Sequence, residues 1–171
     1  MSDGDVSSQP VIDWSEAMQQ CGDDEEFLRE LLVDLRTEAE TQLTNIQSII
    51  QVITMERKLK KTMQFERQET TRPSFFFQFS HVDFSFLLYS FIFIIILFLQ
   101  SPPPNPYEGI MRSAHMLKGA SANLMCHQLR LASLKLEEAA RQAQQQQVQM
   151  AYQDLQLAIQ NLIVHLQNLG L

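Results

Sequence analysis

The chain has 171 residues, 45% of them hydrophobic, and a formal net charge of −7. This length suits one domain with a buried core, and the acidic balance argues against nucleic acid as a partner. Its two cysteines, Cys21 and Cys126, have no C-x-x-C spacing, so neither a disulfide framework nor a zinc site is predicted. This cysteine usage fits a reducing cytoplasmic or nuclear compartment.

The N-terminal part of the chain predicts a disordered segment and a short helix. Residues 1–10 are polar and acidic, without the apolar run of a secretory signal, and we expect them to be disordered. Asp13 and Glu16 then form a capping-box pattern that opens a helix over 13–21, which ends at Gly22. We expect this helix to lie across one end of a helical bundle.

Four longer amphipathic helices are predicted. Asp23 and Glu26 repeat the capping pattern before a long apolar periodicity, and Asn105-Pro106 with Glu108 is a further helix start. The predicted helices span 24–51, 106–125, 127–143 and 147–169. Long amphipathic helices joined by short loops predict an all-α fold, an antiparallel four-helix bundle formed by 11–51 and 105–171.

Residues 52–104 do not follow this pattern. A basic, polar run is succeeded by an apolar stretch over 75–99 that is rich in Phe, Ile and Leu. Its most apolar part, 84–99, is about 16 residues long, short of the roughly 20 that cross a bilayer. A single crossing would also place helices 24–51 and 106–125 on opposite sides of the membrane, where they could not pack together.

Three interpretations of 52–104 stay open at this point. The first is a retained intron, because the Val52 codon begins with GT, a Gln100 codon can end in AG, and a pyrimidine-rich tract is translated into Phe, Leu and Ser. Deleting 52–100 would join Gln51 to a short proline loop. The second is a tolerated insertion, and the third is an anchor at a membrane surface formed by 75–99.

The helix predicted over 106–125 has two different faces. On a helical wheel, Ala114, Leu117, Ser121 and Leu124 fall within roughly 40° of Ile110 and predict a core-facing stripe. His115 lies about 140° away and faces solvent. Lys118 is one turn further on. Gly119 and Ala122 on the same face have little or no side chain, so a partner surface could approach the imidazole closely.

The run His115-Met116-Leu117-Lys118-Gly119-Ala120-Ser121, followed by Leu129 and by Leu136-Glu137, resembles the signature of histidine-containing phosphotransfer (HPt) domains. These domains are phosphorelay carriers in two-component signalling. The resemblance covers roughly 11–51 and 105–170. One residue departs from it, because the family usually has glycine where this chain has Met125, and this leaves the break after the histidine helix in doubt.

The resemblance implies that His115 accepts a phosphoryl group through Nε2 from a receiver aspartate and passes it to another receiver. Lys118 would offset the phosphoryl charge. The chain would be a monomeric carrier without kinase machinery, cofactor or metal of its own. Its partners would be the receiver domains of a hybrid histidine kinase and a response regulator, which supply Mg²⁺. The residues expected to dock against these receivers are Met111, Arg112, Gly119 and Ala122.

Two other classes of function were compared with this one. Di-iron bundles use Glu-x-x-His pairs, and no histidine of the predicted bundle has glutamate three residues before it. A membrane-associated helical scaffold would use 75–99, with His115 incidental. His127 and His165 are predicted to be structural or surface residues.

Overall fold

The computed structural model describes the backbone of residues 6–69 and 105–171, with the side chains of 6–61 and 105–171. Every regular element within these ranges is helical, as the sequence predicts. Among the described residues, a 3-10 turn at Val6–Ser8 precedes five α-helices. They are α1 (Trp14–Gln20), α2 (Glu25–Glu69), α3 (Pro106–Asn123), α4 (His127–Arg141) and α5 (Gln145–Asn168).

Two compact units divide the chain. One consists of Met1–Ile50 with Tyr107–Leu171, and the other is Gln51–Pro106. The apolar stretch 75–99 lies outside the described residues, so the predicted insertion over 52–104 and its three interpretations stay predictions. Within the described ranges, none of the helices combines the length and the apolar character needed to cross a bilayer.

The first unit is a bundle whose core is built from one side of each long helix. The predicted stripe on α3 is confirmed, because Ala114, Leu117 and Ser121 are fully buried and Leu124 is nearly so. α2 contributes its Leu and Ile residues at helical spacing, and α4 and α5 pack closely on each other. The largest fully buried side chains include Leu28, Leu32, Ile46, Ile110, Leu117, Leu129, Leu136, Leu155, Leu162 and Leu166.

The prediction that the second helix ends near residue 51 is wrong, because α2 continues to Glu69. Residues 52–69 are dominated by Met, Glu, Arg, Lys, Leu and Gln, all good helix formers, and they contain neither Gly nor Pro. Nothing in this run stops a helix once it is formed. The other helix ends agree with the predicted ones to within two residues, and the starts at 106 and 127 coincide with them; this is the usual uncertainty at frayed ends.

The capping of α1 and α2 also differs from the prediction in detail. Asp13 Oδ1 accepts from the Glu16 amide at 3.0 Å, as predicted, but the Asp13 amide donates to the Met125 carbonyl at 3.0 Å. At α2 the cap is Asp24, whose Oδ1 accepts from the Phe27 amide at 3.0 Å. Asp23, the cap that the sequence predicts, instead adopts a left-handed conformation with φ of 61°.

The break after α3 forms although the expected glycine is missing. Met125 adopts the left-handed conformation itself, with φ of 52°, and the Cys126 amide donates back to the Ser121 carbonyl at 2.9 Å. This is the helix-ending geometry in which glycine is favoured, because a side chain in the left-handed region costs about 1 kcal/mol. Met125 therefore retains the turn at some cost in stability.

Replacing Met125 should separate the backbone cost from the contacts of its side chain. Met125→Gly and Met125→Ala both remove the half-buried side chain, but only glycine relieves the left-handed conformation. We expect the free energy of unfolding of Met125→Gly to exceed that of Met125→Ala by about 1 kcal/mol. Urea denaturation of the two variants measures this difference, and equal stabilities would contradict it.

Candidate functional site

α3 presents His115 on its outer face. Ala114 and Leu117, which precede and follow His115 in the sequence, are fully buried. Because these two side chains face the core, the position of His115 between them faces solvent. The His115 side chain is 67% exposed, and its neighbour Met116 is also exposed. The imidazole is therefore open to a large partner molecule.

A buried carboxylate from α4 contacts this imidazole on the side that faces the core. Glu137 Oε1 lies 3.2 Å from His115 Nδ1, and Lys118 Nζ donates to Glu137 Oε2 at 2.6 Å. The Glu137 side chain is only 6% exposed, whereas Lys118 is partly exposed at 28%. His115 and Lys118, one turn apart on α3, are thus joined through one buried group on the neighbouring helix.

Arg141 completes this cluster, which consists of His115, Lys118, Glu137 and Arg141. Its Nη2 donates to Glu137 Oε1 at 3.1 Å from one turn further along α4. The carboxylate is therefore surrounded by two cations and an imidazole. With one anion and two permanent cations, the cluster has a net charge of about +1 beside His115.

The contacts of Glu137 set its ionisation. The hydrogen bond from Lys118, reinforced by the one with His115, holds the pKa of the Glu137 carboxyl below its ordinary value, against the opposing effect of burial. The group is therefore a carboxylate at neutral pH and can only accept hydrogen bonds. For a hydrogen bond to exist at 3.2 Å, His115 Nδ1 must carry a proton, and in a neutral ring the lone pair is then on Nε2.

The residues predicted to dock a partner lie on α3 around His115. A Cβ placed on Gly119 would meet no heavy atom within 4 Å, so the space over this position is open. Met111 and Ala122 are half-buried. Arg112 is exposed and its Nη2 lies 3.3 Å from Glu108 Oε1 on the same helix.

Sequence reasoning did not assign a role to Glu137 or Arg141. Glu137 was noted only as part of the Leu136-Glu137 pair. The position of Glu137 in the sequence could have indicated its role, because it lies between Leu136 and Ala140 on the buried side of α4. A charged residue on a buried helical face is rare unless it is paired, so it indicates a partner across the helix interface.

The ionisation of Glu137 predicts how stability depends on pH. Because its pKa is lower in the folded chain than the ordinary value of 4.5, it stabilises the fold above that value. This contribution is lost as the pH falls below 4.5 toward the folded pKa. We expect Glu137→Gln to lower the free energy of unfolding by about 1.5 kcal/mol at pH 7, as for hydrogen bonds to charged groups.

Urea denaturation at pH 7 and at pH 3 checks this prediction. The deficit of Glu137→Gln relative to the unmodified chain should shrink at pH 3. Glu138→Gln is a matched control, because Glu138 is the next residue on α4 and is exposed. A deficit that is the same at both pH values, or shared by Glu138→Gln, would contradict the assignment.

Comparison with known proteins identifies the family. Residues 76–168, more than half of the chain, match the family model described as the Hpt domain. The match contains α3, α4 and α5 with all four residues of the cluster, whereas α1 and α2 precede it. No curated protein and no solved structure gave a significant match. The chain therefore belongs to the Hpt domain family, whose members serve histidine phosphotransfer in phosphorelays and generally interact with receiver domains.

Proposed function

We propose that His115 is the phosphoryl carrier of this chain, taking the group from an aspartyl phosphate on one receiver domain and giving it to a second receiver. The observation that carries this proposal is the contact of the exposed imidazole with buried Glu137, which holds Nδ1 protonated. The remaining nitrogen, Nε2, is then a neutral nucleophile on an open surface.

In the proposed step the Nε2 lone pair attacks phosphorus. The bond from phosphorus to the aspartate oxygen breaks, and its electron pair leaves with the partner's carboxylate. The phosphorylated ring keeps its proton on Nδ1 and is positively charged. Glu137 Oε1, 3.2 Å from Nδ1, offsets this charge, and reversal of the same steps delivers the group to the second receiver.

In this proposal Lys118 stabilises the phosphoryl group through the charge of the cluster rather than as a free ammonium beside the imidazole. Its Nζ is already bonded to Glu137, so it does not lie unpaired over the imidazole. With Arg141 it leaves the cluster with a net charge of about +1 next to the incoming phosphoryl oxygens. At an exposed site this charge stabilises a phosphoryl anion by about 1 kcal/mol.

The partners in this proposal are the receiver domains of a hybrid histidine kinase and a response regulator. They dock over Gly119, with Met111, Arg112 and Ala122 at the edges of the contact. The receiver supplies the acceptor or donor aspartate and its Mg²⁺, so transfer requires no metal held by His115. A monomeric chain in the cytoplasm or nucleus is part of the same proposal.

Labelled phosphoryl transfer from a phosphorylated receiver tests the role of His115 directly. We expect His115→Gln to reduce labelling of the chain to background, because the proposal places the bond to phosphorus on the His115 ring alone. His165→Gln is the matched control and should be labelled at the unmodified rate. Full labelling of His115→Gln would refute the proposal, and loss of labelling in His165→Gln alone would relocate the carrier.

Gly119 allows the docking surface to be tested separately from the chemistry. Gly119→Leu fits the open space of the free chain and should raise its stability by up to about 1 kcal/mol, since glycine is a poor residue inside a helix. The same side chain should obstruct a receiver and slow transfer at least about tenfold, for a loss of about 1.4 kcal/mol.

Phosphoramidate, a small phosphoryl donor that needs no docked protein, provides the control. Its reaction with His115 should be unchanged by Gly119→Leu. Equal slowing with both donors would mean that the imidazole itself is disturbed. An unchanged rate with the receiver would remove Gly119 from the docking surface.

A further inference from the structure

A second group of side chains lies apart from the cluster around His115 and shares no residue with it. Asp13, Glu16 and His127 each offer one ligand atom, and these atoms all lie within 4.8 Å of one another. Asp13 caps α1, Glu16 lies in the first turn of that helix, and His127 is the first residue of α4. The three residues therefore connect two helices that are far apart in the sequence.

The backbone holds these helices together without help from the three side chains. The Asp13 amide donates to the Met125 carbonyl at 3.0 Å, two residues before His127. The left-handed turn at Met125 then starts α4 next to the cap of α1. The convergence of the three ligand groups is thus a fixed consequence of the fold.

The same backbone bond leaves the ligand groups available. In a complete capping box the Glu16 carboxylate would accept from the Asp13 amide, but that amide is bonded to Met125. Across the ranges that the structure describes, neither the Glu16 carboxylate nor the His127 ring has a hydrogen bond or ion pair. Asp13 uses Oδ1 for the Glu16 amide and keeps further lone pairs.

The local charge favours a cation. Asp13 and Glu16 supply two negative charges, while the N-terminal ends of α1 and α4 each supply about half a positive charge. The sum is about −1, so the helix dipoles weaken the attraction for a cation without reversing it. The imidazole selects among cations, because Ca²⁺ and Mg²⁺ prefer oxygen ligands whereas Zn²⁺ accepts one nitrogen and two carboxylate oxygens.

We propose that Asp13, Glu16 and His127 form a binding site for a divalent transition-metal ion of the Zn²⁺ class. Water completes the tetrahedral coordination, and the bound ion fastens α1 to the start of α4. The site stabilises the bundle and takes no part in phosphoryl transfer. Because His127 lies more than a hundred residues from Asp13 and Glu16 in the chain, no short motif in the sequence indicates the site.

Thermal unfolding of the full chain, freed of metal with a chelator and then titrated with ZnCl₂, tests the proposal. A ligand that binds only the folded chain raises the melting temperature, so we expect a zinc-dependent increase and none with MgCl₂. Glu16→Gln and His127→Gln should each weaken zinc binding at least about tenfold in calorimetric titration. Asp13 is left unchanged because it caps α1.

Glu26→Gln and His165→Gln are the matched controls, since they remove an exposed first-turn acid of α2 and a histidine of α5. Both should keep the full zinc response. Circular dichroism of the metal-free variants shows whether each is folded. A zinc response that persists undiminished in both Glu16→Gln and His127→Gln, or that is absent from the unmodified chain, would overturn the proposal.

Ring signals of the histidines in NMR spectra give a readout that does not depend on variants. Addition of zinc should shift the Cε1–H and Cδ2–H signals of His127 and leave those of His165 in place. Shifts confined to His115 or His165 would assign the ion to another part of the chain and overturn the site.

Discussion

The buried carboxylate of Glu137 is the constraint on which the site depends. Removing a charge from water is costly unless hydrogen bonds and opposite charges replace the lost hydration. Here a lysine from α3, an arginine from α4 and the His115 ring provide that replacement. Because these partners must all reach one group, α3 and α4 have to pack in a register that brings Lys118 and Glu137 together.

This constraint links stability to chemistry. The hydrogen bond from Lys118 keeps Glu137 ionised, and only an ionised Glu137 obliges the imidazole to hold its proton on Nδ1. In the proposed mechanism, Lys118 therefore acts on the reacting nitrogen through Glu137, to which its ammonium is hydrogen-bonded. The exposed surface around His115 can then consist of small and flexible residues, since the contact with Glu137 on the core side orients the ring.

Local periodicity was enough to predict the helices, the buried stripe of α3 and the outward direction of His115, because each depends on residues within a few turns of one helix. Contacts between helices were not predictable in the same way. The bonds of Glu137 to His115 and Lys118 join residues about twenty positions apart, and the Asp13 amide bonds to Met125 rather than to Glu16 of its own capping box. The end of α2 was missed because helix formers beyond residue 51 outweighed the change in amphipathic pattern.

His115 and His127 show that burial decides what a histidine beside carboxylates can do. At His115 the carboxylate is buried, bonded to Lys118 and directly in contact with one ring nitrogen, so the other nitrogen is the one proposed to react. At His127 no ion pair joins the ring to the two nearby carboxylates, and Glu16 is exposed. Asp13, Glu16 and His127 therefore keep lone pairs that are not used in hydrogen bonds, and this arrangement suits coordination of an ion rather than nucleophilic attack. The two imidazoles thus differ in whether their carboxylates are buried and bonded, and this difference is the basis of the different roles proposed for them.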